Sequence, residues 1–421
     1  MKRPFSLWLY LCLSHWFGWL YRSLIAVRVW QGKEDRARIK ERFGKASAIR
    51  PNGQLVWIHG ASVGECILAL ALAEKLRGAR SDLSFLFTSG TRTSAKLLVD
   101  AGHLHQFLPV DTPTAMRRFV SHWRPDLVIL LESEIWPNLL NSVKATDTPL
   151  VLVNARLNTG SRNKWTKRPR LSKALFEQFN WISAADQPTA DFVSQLTGKM
   201  PPMLGNLKLL ATPAQDEPAW VQQLQNTIAA RPVWLAASIH AYEDEVIIEA
   251  HRKVIEQQPN ALLILAPRHP ERGEKIAALC SKAGFSNTRW SQQQPPTGAV
   301  FIADTIGDMQ AWLSLATIVF VGGSIGAGTG HNPLEAVRAN LPVISGKYVA
   351  SFADIYQALD KLSAVQWVTN ASELADAVLH PPTNAQTLAA THWLQQAADG
   401  LGQQVRVALL SYLDEKHDAP T

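Results

Sequence analysis

A chain of 421 residues, 47% of them hydrophobic, is long enough to fill two ordinary cores and too apolar to be disordered. A formal net charge of +7 with a sequence pI near 9.3 would suit a nucleic-acid partner, but the basic residues gather beside an apolar amino-terminal run and no nucleic-acid motif accompanies them, so that class ranks last. Cys12, Cys66 and Cys280 lie far apart with no C-x-x-C pair, which points away from a disulfide framework and from a structural zinc site.

In chain order, the first feature is the run Pro4 to Leu20, PFSLWLYLCLSHWFGWL, with no charge apart from a possible one on His15. Its length is near the roughly 20 apolar residues that span a bilayer, and its Trp and Tyr content also suits an interfacial helix. No A-x-A cleavage site follows it, so residues 1–30 read as an uncleaved amino-terminal membrane-anchor helix. Arg22, Arg28, Lys33, Arg36, Arg38, Lys40, Arg42 and Lys45 come next. The positive-inside rule then puts the globular part in the cytoplasm, beside an anionic leaflet.

Gln54 to Arg77, QLVWIHGASVGECILALALAEKLR, is a buried strand turning through Gly60, Ala61 and Ser62 into a helix. The turn lacks the Lys-Ser/Thr ending of a P-loop and the three glycines of a dinucleotide fingerprint, and it presents a carboxylate, Glu65. That carboxylate suits proton transfer, although the helix macrodipole alone also favours an acid there.

The apolar runs LSFLFTS, LVILLES, PLVLVNA, PVWLAAS, ALLILAP, TIVFVGG and LPVISG follow, each bounded by turn residues and most separated by helical stretches. This is the pattern of parallel sheets covered on both faces, an α/β class. Prolines and polar residues interrupt it between Met200 and Trp220, which reads as a linker. The expected domains are an anchor (1–30), a Rossmann-like domain (31–210) and a second Rossmann-like domain (211–421). Ligands of such sheets gather at the carboxyl ends of strands, and the turns there carry Glu132-Ser133-Glu134, Asn154-Ala155-Arg156, Ser238-Ile239-His240, Pro267-Arg268-His269, and Gly322-Gly323-Ser324 leading to Gly330-His331-Asn332. Glu132 and Glu134 point the same way on an extended strand end, but no third oxygen ligand for a divalent cation is evident.

The ordered strings HGASVGE, ESEIWPN, NARL, GNLK, APRHPER, DTIGDM and GTGHNPLE resemble the 3-deoxy-D-manno-octulosonic acid (Kdo) transferases of lipopolysaccharide assembly, over most of the chain. The resemblance implies a GT-B glycosyltransferase that moves Kdo from CMP-Kdo to a lipid A precursor with inversion, needing no metal and no cofactor, the first domain taking the acceptor and the second the donor. It also implies roles: Glu65 as general base, Glu132 and Lys208 as transition-state stabilisers, and Pro267, Arg268, Ile306, Gly307, Asp308, Asn332, Pro333, Leu334 and Glu335 as donor contacts. In chemical terms Arg268 offers a fork of donors to phosphate and Glu335 an acceptor for ribose hydroxyls.

The sequence departs from the family pattern in places. The usual S-T-H-x-G-E-E reads Ser238-Ile239-His240-Ala241-Tyr242-Glu243-Asp244, T-M-G-E reads Thr305-Ile306-Gly307-Asp308, and one of two glycines before His331 is Thr329. Two other classes stay open at this stage: a different two-domain enzyme on nucleotide sugars, such as an epimerase or hexose transferase, and a catalytically silent envelope-assembly protein. The run Arg162, Lys164, Lys167, Arg168, Arg170 and Lys173, interleaved with Trp165, reads as a rim for anionic headgroups, or as a solvated face.

Overall fold

The computed structural model describes residues 4–16, 18–210 and 218–414. It divides into two units, Met1–Thr212 with Ala398–Thr421, and Pro213–Ala397.

The first unit holds a six-stranded parallel sheet of β1 (Leu55–His59), β2 (Ser84–Ser89), β3 (His105–Phe107), β4 (Leu127–Leu131), β5 (Leu150–Ala155) and β6 (Trp181–Ala184), in the order β3-β2-β1-β4-β5-β6. Successive residues of β1 enter different cores, Leu55 and Trp57 on one face of the sheet and Val56 and Ile58 on the other. A strand covered on both sides therefore reads as an unbroken apolar run. The second unit has β7 (Val233–Ile239), β8 (Leu262–Pro267), β9 (Asn287–Arg289), β10 (Val300–Ile302), β11 (Ile318–Val321), β12 (Val343–Ser345) and β13 (Val365–Trp367), ordered β13-β12-β11-β7-β8-β10-β9. In both sheets the chain starts at a central strand, runs to one edge, then returns to the centre and runs to the other. The reversal falls between β1 and β4 in the first unit and between β7 and β11 in the second, and such switch points open a crevice beyond the strand ends.

Residues 1–30 were expected to hold one anchor helix, and the described part holds two, α1 (Phe5–Trp16) and α2 (Gly18–Trp30). Among the described residues no helix is long and apolar enough to cross a membrane. A polar network ties α1 to the first unit: the Tyr10 hydroxyl donates to Asp111 (2.9 Å), Asn138 Nδ2 donates to the Ser14 hydroxyl (3.0 Å), and buried Asp111 accepts the amides of Asn138 and Leu139. Leu7 and Ile25 are buried, whereas Phe5, Trp8, Trp16, Trp19, Leu20, Leu24, Val27 and Trp30 are exposed.

The second domain was expected to run to the C terminus. Instead the residues from 398 onward group with the first unit, because Leu401, Val405, Leu409 and Leu413 of the helix Asn384–Asp414, spaced every fourth residue, insert into its core beside Leu68, Leu72 and Leu76. The expected linker is also shorter than its composition suggests. Leu207 and Leu210 are core residues of the first unit, and Trp220 packs at a tilt against Trp290 and Trp312 of the second. The expected boundary after residue 210 opens onto 211–217, which lie outside the described residues.

Candidate active site

In the first unit the crevice at the β1/β4 switch is lined by carboxylates. After β1 the chain turns through Gly60 into α3 (Val63–Arg77), with Ser62 as the N-cap. Glu65 completes the cap reciprocally: Ser62 Oγ accepts the Glu65 amide (3.3 Å), while the Glu65 carboxylate accepts the amide of Ala61, one residue before the N-cap, and the Ser62 hydroxyl, both at 2.8 Å. Gly60 is required because a Cβ there would lie 2.9 Å from the Glu65 carbonyl carbon and 3.0 Å from its Cβ. Glu65 thus has a structural role whatever else it does.

Glu132, just past β4, takes a left-handed backbone with φ 56°, which a non-glycine residue adopts only when its surroundings enforce it. Here its amide donates to Val153 O (3.0 Å) and its carbonyl accepts the Arg156 amide (3.3 Å). Burial pushes its carboxyl up and the charge of Glu65 pushes the same way, partly offset by Arg156 and Lys208. The structure therefore brings Glu65, Glu132 and Lys208 into one electrostatic neighbourhood. Arg156 joins them; it stood in the sequence in the NARL string, without an assigned role.

Glu134 does not share a cation site with Glu132. Its Oε2 is held by His59 Nε2 (3.1 Å) and by the Trp136 indole (2.6 Å), and His59 Nδ1 contacts Thr88 on β2. Burial would raise the Glu134 carboxyl, but these partners outweigh it and hold it below its ordinary range. Among the described residues no group of three His, Cys, Asp or Glu is arranged to hold a metal ion.

In the second unit the expected donor residues follow three strands, β8, β10 and β11, with β7 lying between β8 and β11. Glu243 organises their centre. It is fully buried, and its carboxylate accepts four backbone amides, those of His240 (3.0 Å), Gly323 (2.7 Å), Ser324 (3.0 Å) and Ile325 (3.2 Å), joining the loop after β7 to the loop after β11. Pro267 ends β8, and the Arg268 amide donates to Ile239 O (3.0 Å) while its guanidinium stays exposed. Ile306 is 85% exposed, Gly307 has φ 99°, and Asp308 accepts the Thr305 hydroxyl. Asn332 Oδ1 accepts the Leu334 amide (3.2 Å). Glu335 retains exposed surface yet is ringed densely enough by protein to raise its carboxyl, partly offset by Arg338. The helix after Pro333 is only Leu334–Arg338, too short for a substantial macrodipole, so recognition of an anion here falls to side chains.

The departures from the family motif are accommodated. Tyr242 stacks on His240 (5.4 Å, 12°), Asp244 pairs with Arg272, and the Thr329 hydroxyl bonds Ser351 (2.8 Å). Trp165 is a correction: it packs edge-on against Phe176 at the margin of the core, not outward, and Arg162 is spent on Leu157 O, which leaves Lys164, Lys167, Arg168, Arg170 and Lys173 exposed.

Comparison with known proteins decides the family. Residues 37–211 match the model of the 3-deoxy-D-manno-octulosonic-acid transferase (kdotransferase) family. The chain is 34% identical over 388 residues to a probable mitochondrial 3-deoxy-D-manno-octulosonic acid transferase of Arabidopsis thaliana, covering 88% of this chain and 86% of that one. The chain belongs to the Kdo transferase family. A second Kdo transferase, from Haemophilus influenzae, is 34% identical with 82% of each chain covered. As a member of the family, the protein is a glycosyltransferase. Its fold is that of GT-B enzymes: solved structures of a putative UDP-N-acetylglucosamine 2-epimerase from Listeria monocytogenes (TM-score 0.59, 13% identity, 86% of this chain and 98% of that one) and of a Rickettsia africae glycosyltransferase (TM-score 0.56, 13% identity, 88% and 100%) share it.

Proposed function

We propose that this Kdo transferase moves Kdo from CMP-Kdo to a hydroxyl of a lipid A precursor, with inversion and with Glu65 as the general base. The observation that carries the reading is the convergence of Glu65, Glu132, Arg156 and Lys208 at the β1/β4 switch point. Glu65 takes the acceptor proton as the hydroxyl oxygen bonds to the anomeric carbon; the bond from that carbon to the phosphate oxygen breaks, and its electron pair leaves with CMP. Two carboxylates so placed repel each other, and the cations Arg156 and Lys208 offset that repulsion. In the second unit Arg268 suits the phosphate and Glu335 the ribose hydroxyls. No metal enters this scheme.

The acceptor is a lipid, and the exposed apolar faces of α1 and α2 suit helices lying in the headgroup boundary of the cytoplasmic leaflet rather than crossing it. The neighbouring basic residues add attraction to anionic lipid. The deciding experiment supplies radiolabelled CMP-Kdo or UDP-hexoses with a bis-phosphorylated lipid A precursor in vesicles. Incorporation from CMP-Kdo alone supports the reading, and incorporation from a UDP-hexose alone overturns it.

A further inference from the structure

The second unit contains a contact that the scheme above does not use. His240, after β7, and His331, before the Asn332-Pro333 step, meet Nε2 to Nε2 at 2.9 Å with their rings within 2° of parallel. Two imidazole nitrogens at that distance need one proton between them: one ring donates Nε2–H and the other accepts with its lone pair. The pair is held from several sides. The His240 backbone is fixed through its amide on buried Glu243, and its ring lies between Tyr242 and the edge of His269. Tyr356 donates to His331 O (3.3 Å). Gly323, with φ 70°, admits the rings: a Cβ there would sit 2.9 Å from His331 Cδ2 and 3.4 Å from His240 Cδ2.

The charges that face the pair are mostly positive. His240 feels Glu243, His269, Arg272 and Arg268, and His331 feels His240, Arg268 and Glu243; burial is the largest influence on each and disfavours the protonated ring. Glu243 already accepts four amides. Burial and the neighbouring cations thus keep the pair singly protonated beside the exposed Arg268.

We propose that the His240–His331 pair is an anion receptor of the donor site that takes up a second proton from solvent when a nucleotide phosphate docks at Arg268. The reasoning rests on the donor reading of the second unit. A phosphate beside the rings offsets the repulsion of Arg268 and of each ring for the other, so the second proton becomes favourable. With both Nε2 atoms protonated the shared bond opens, and each ring can turn an N–H toward phosphate oxygen. By linkage, binding tightens as the pH falls through the bound pair's pKa toward that of the free pair.

The test measures proton uptake by titration calorimetry at neutral pH in two buffers of different ionisation enthalpy. The probe is the methyl phosphodiester of CMP, whose own charge is constant over that range. Full-length protein in detergent is expected to gain a substantial fraction of one proton per nucleotide bound. His240→Gln and His331→Gln, which keep a hydrogen-bonding amide near the same place, should still bind, roughly ten- to a hundredfold more weakly, the worth of one hydrogen bond to a charged group, and without linked uptake. Binding to wild type with no uptake overturns the proposal, as does uptake that persists in both variants. If wild type fails to bind the probe at all, the donor reading itself fails, and this inference with it.

Discussion

Glu65→Gln separates the two roles that the structure gives to one side chain. As part of the helix cap, Glu65 accepts the Ala61 amide and the Ser62 hydroxyl, both at 2.8 Å. Gln serves the same motif: its carbonyl oxygen accepts from Ala61, and its amide donates to Ser62 Oγ, which has a lone pair to spare beside the bond from the residue 65 amide. The change in stability should stay below about 0.5 kcal/mol, against about 1 kcal/mol when a cap is truncated to Ala. As a base, however, the amide is useless, and losing general-base catalysis costs about 10²- to 10⁴-fold in turnover. The assay is Kdo transfer to a lipid A precursor in vesicles at saturating CMP-Kdo, with thermal unfolding measured alongside. Ser62→Ala is the counterpart, expected to lower the melting temperature while retaining most of the turnover. If Glu65→Gln keeps turnover within about tenfold of wild type, below the range for a general base, Glu65 is only a cap.

Arg268→Ala and Glu335→Ala should each weaken CMP binding by calorimetry, and unchanged affinity in both would remove them from the donor site. A chelator should leave the transfer rate unaltered, since the proposed chemistry asks nothing of a divalent ion. Two buried histidines predict acid lability. His251, bonded to the Trp234 indole and Ala299 O, is held down to about 4, and His105, between Ser89 and Arg38, to about 3, burial being the main cause for both. Each folded-state value lies below the unfolded one, so the stabilisation is complete above about pH 6.5 and is lost as the pH falls toward the folded values, a few kcal/mol in all. Denaturant melts of wild type and His251→Gln at about pH 7 and about pH 5 measure the effect, and equal losses in the two proteins would refute it. Replacing Trp8, Trp16, Trp19 and Trp30 by Ser should reduce vesicle binding while leaving soluble CMP affinity intact.

Strands were legible where burial on both faces writes an uninterrupted apolar run into the sequence; β1, β2, β4, β5, β7, β8, β11 and the three-residue β12 were seen this way, and the four-residue β6 was not. The short strands β3, β9, β10 and β13, three residues each, carry too few residues to show any period. Glu65, Glu132 and Arg268 stood out in the sequence because strand ends expose polar residues. Glu243 was noticed only as part of a motif, since three of its four partners are backbone amides 80 to 82 residues away, which no side-chain pattern encodes. The apolar amino terminus suggested one long helix. Length and composition cannot register that Tyr10 and Ser14 are turned toward Asp111 and Asn138 rather than toward lipid.

The last helix sets an order on synthesis. Domains generally fold as units while the chain emerges, the amino-terminal one first, but here the first unit cannot complete its core until Leu401, Val405, Leu409 and Leu413 have been made. Burial of four such side chains is worth roughly 6–12 kcal/mol, comparable to the whole stability of an ordinary domain. Until then the apolar face of α3 that includes Leu68, Leu72 and Leu76 waits uncovered, while the amino-terminal helices, of which α1 packs on the other face of the sheet, are themselves apolar on the outside. A nascent chain of this enzyme therefore carries two sticky surfaces through nearly all of its translation, and any truncation before residue 400 leaves one of them permanently open.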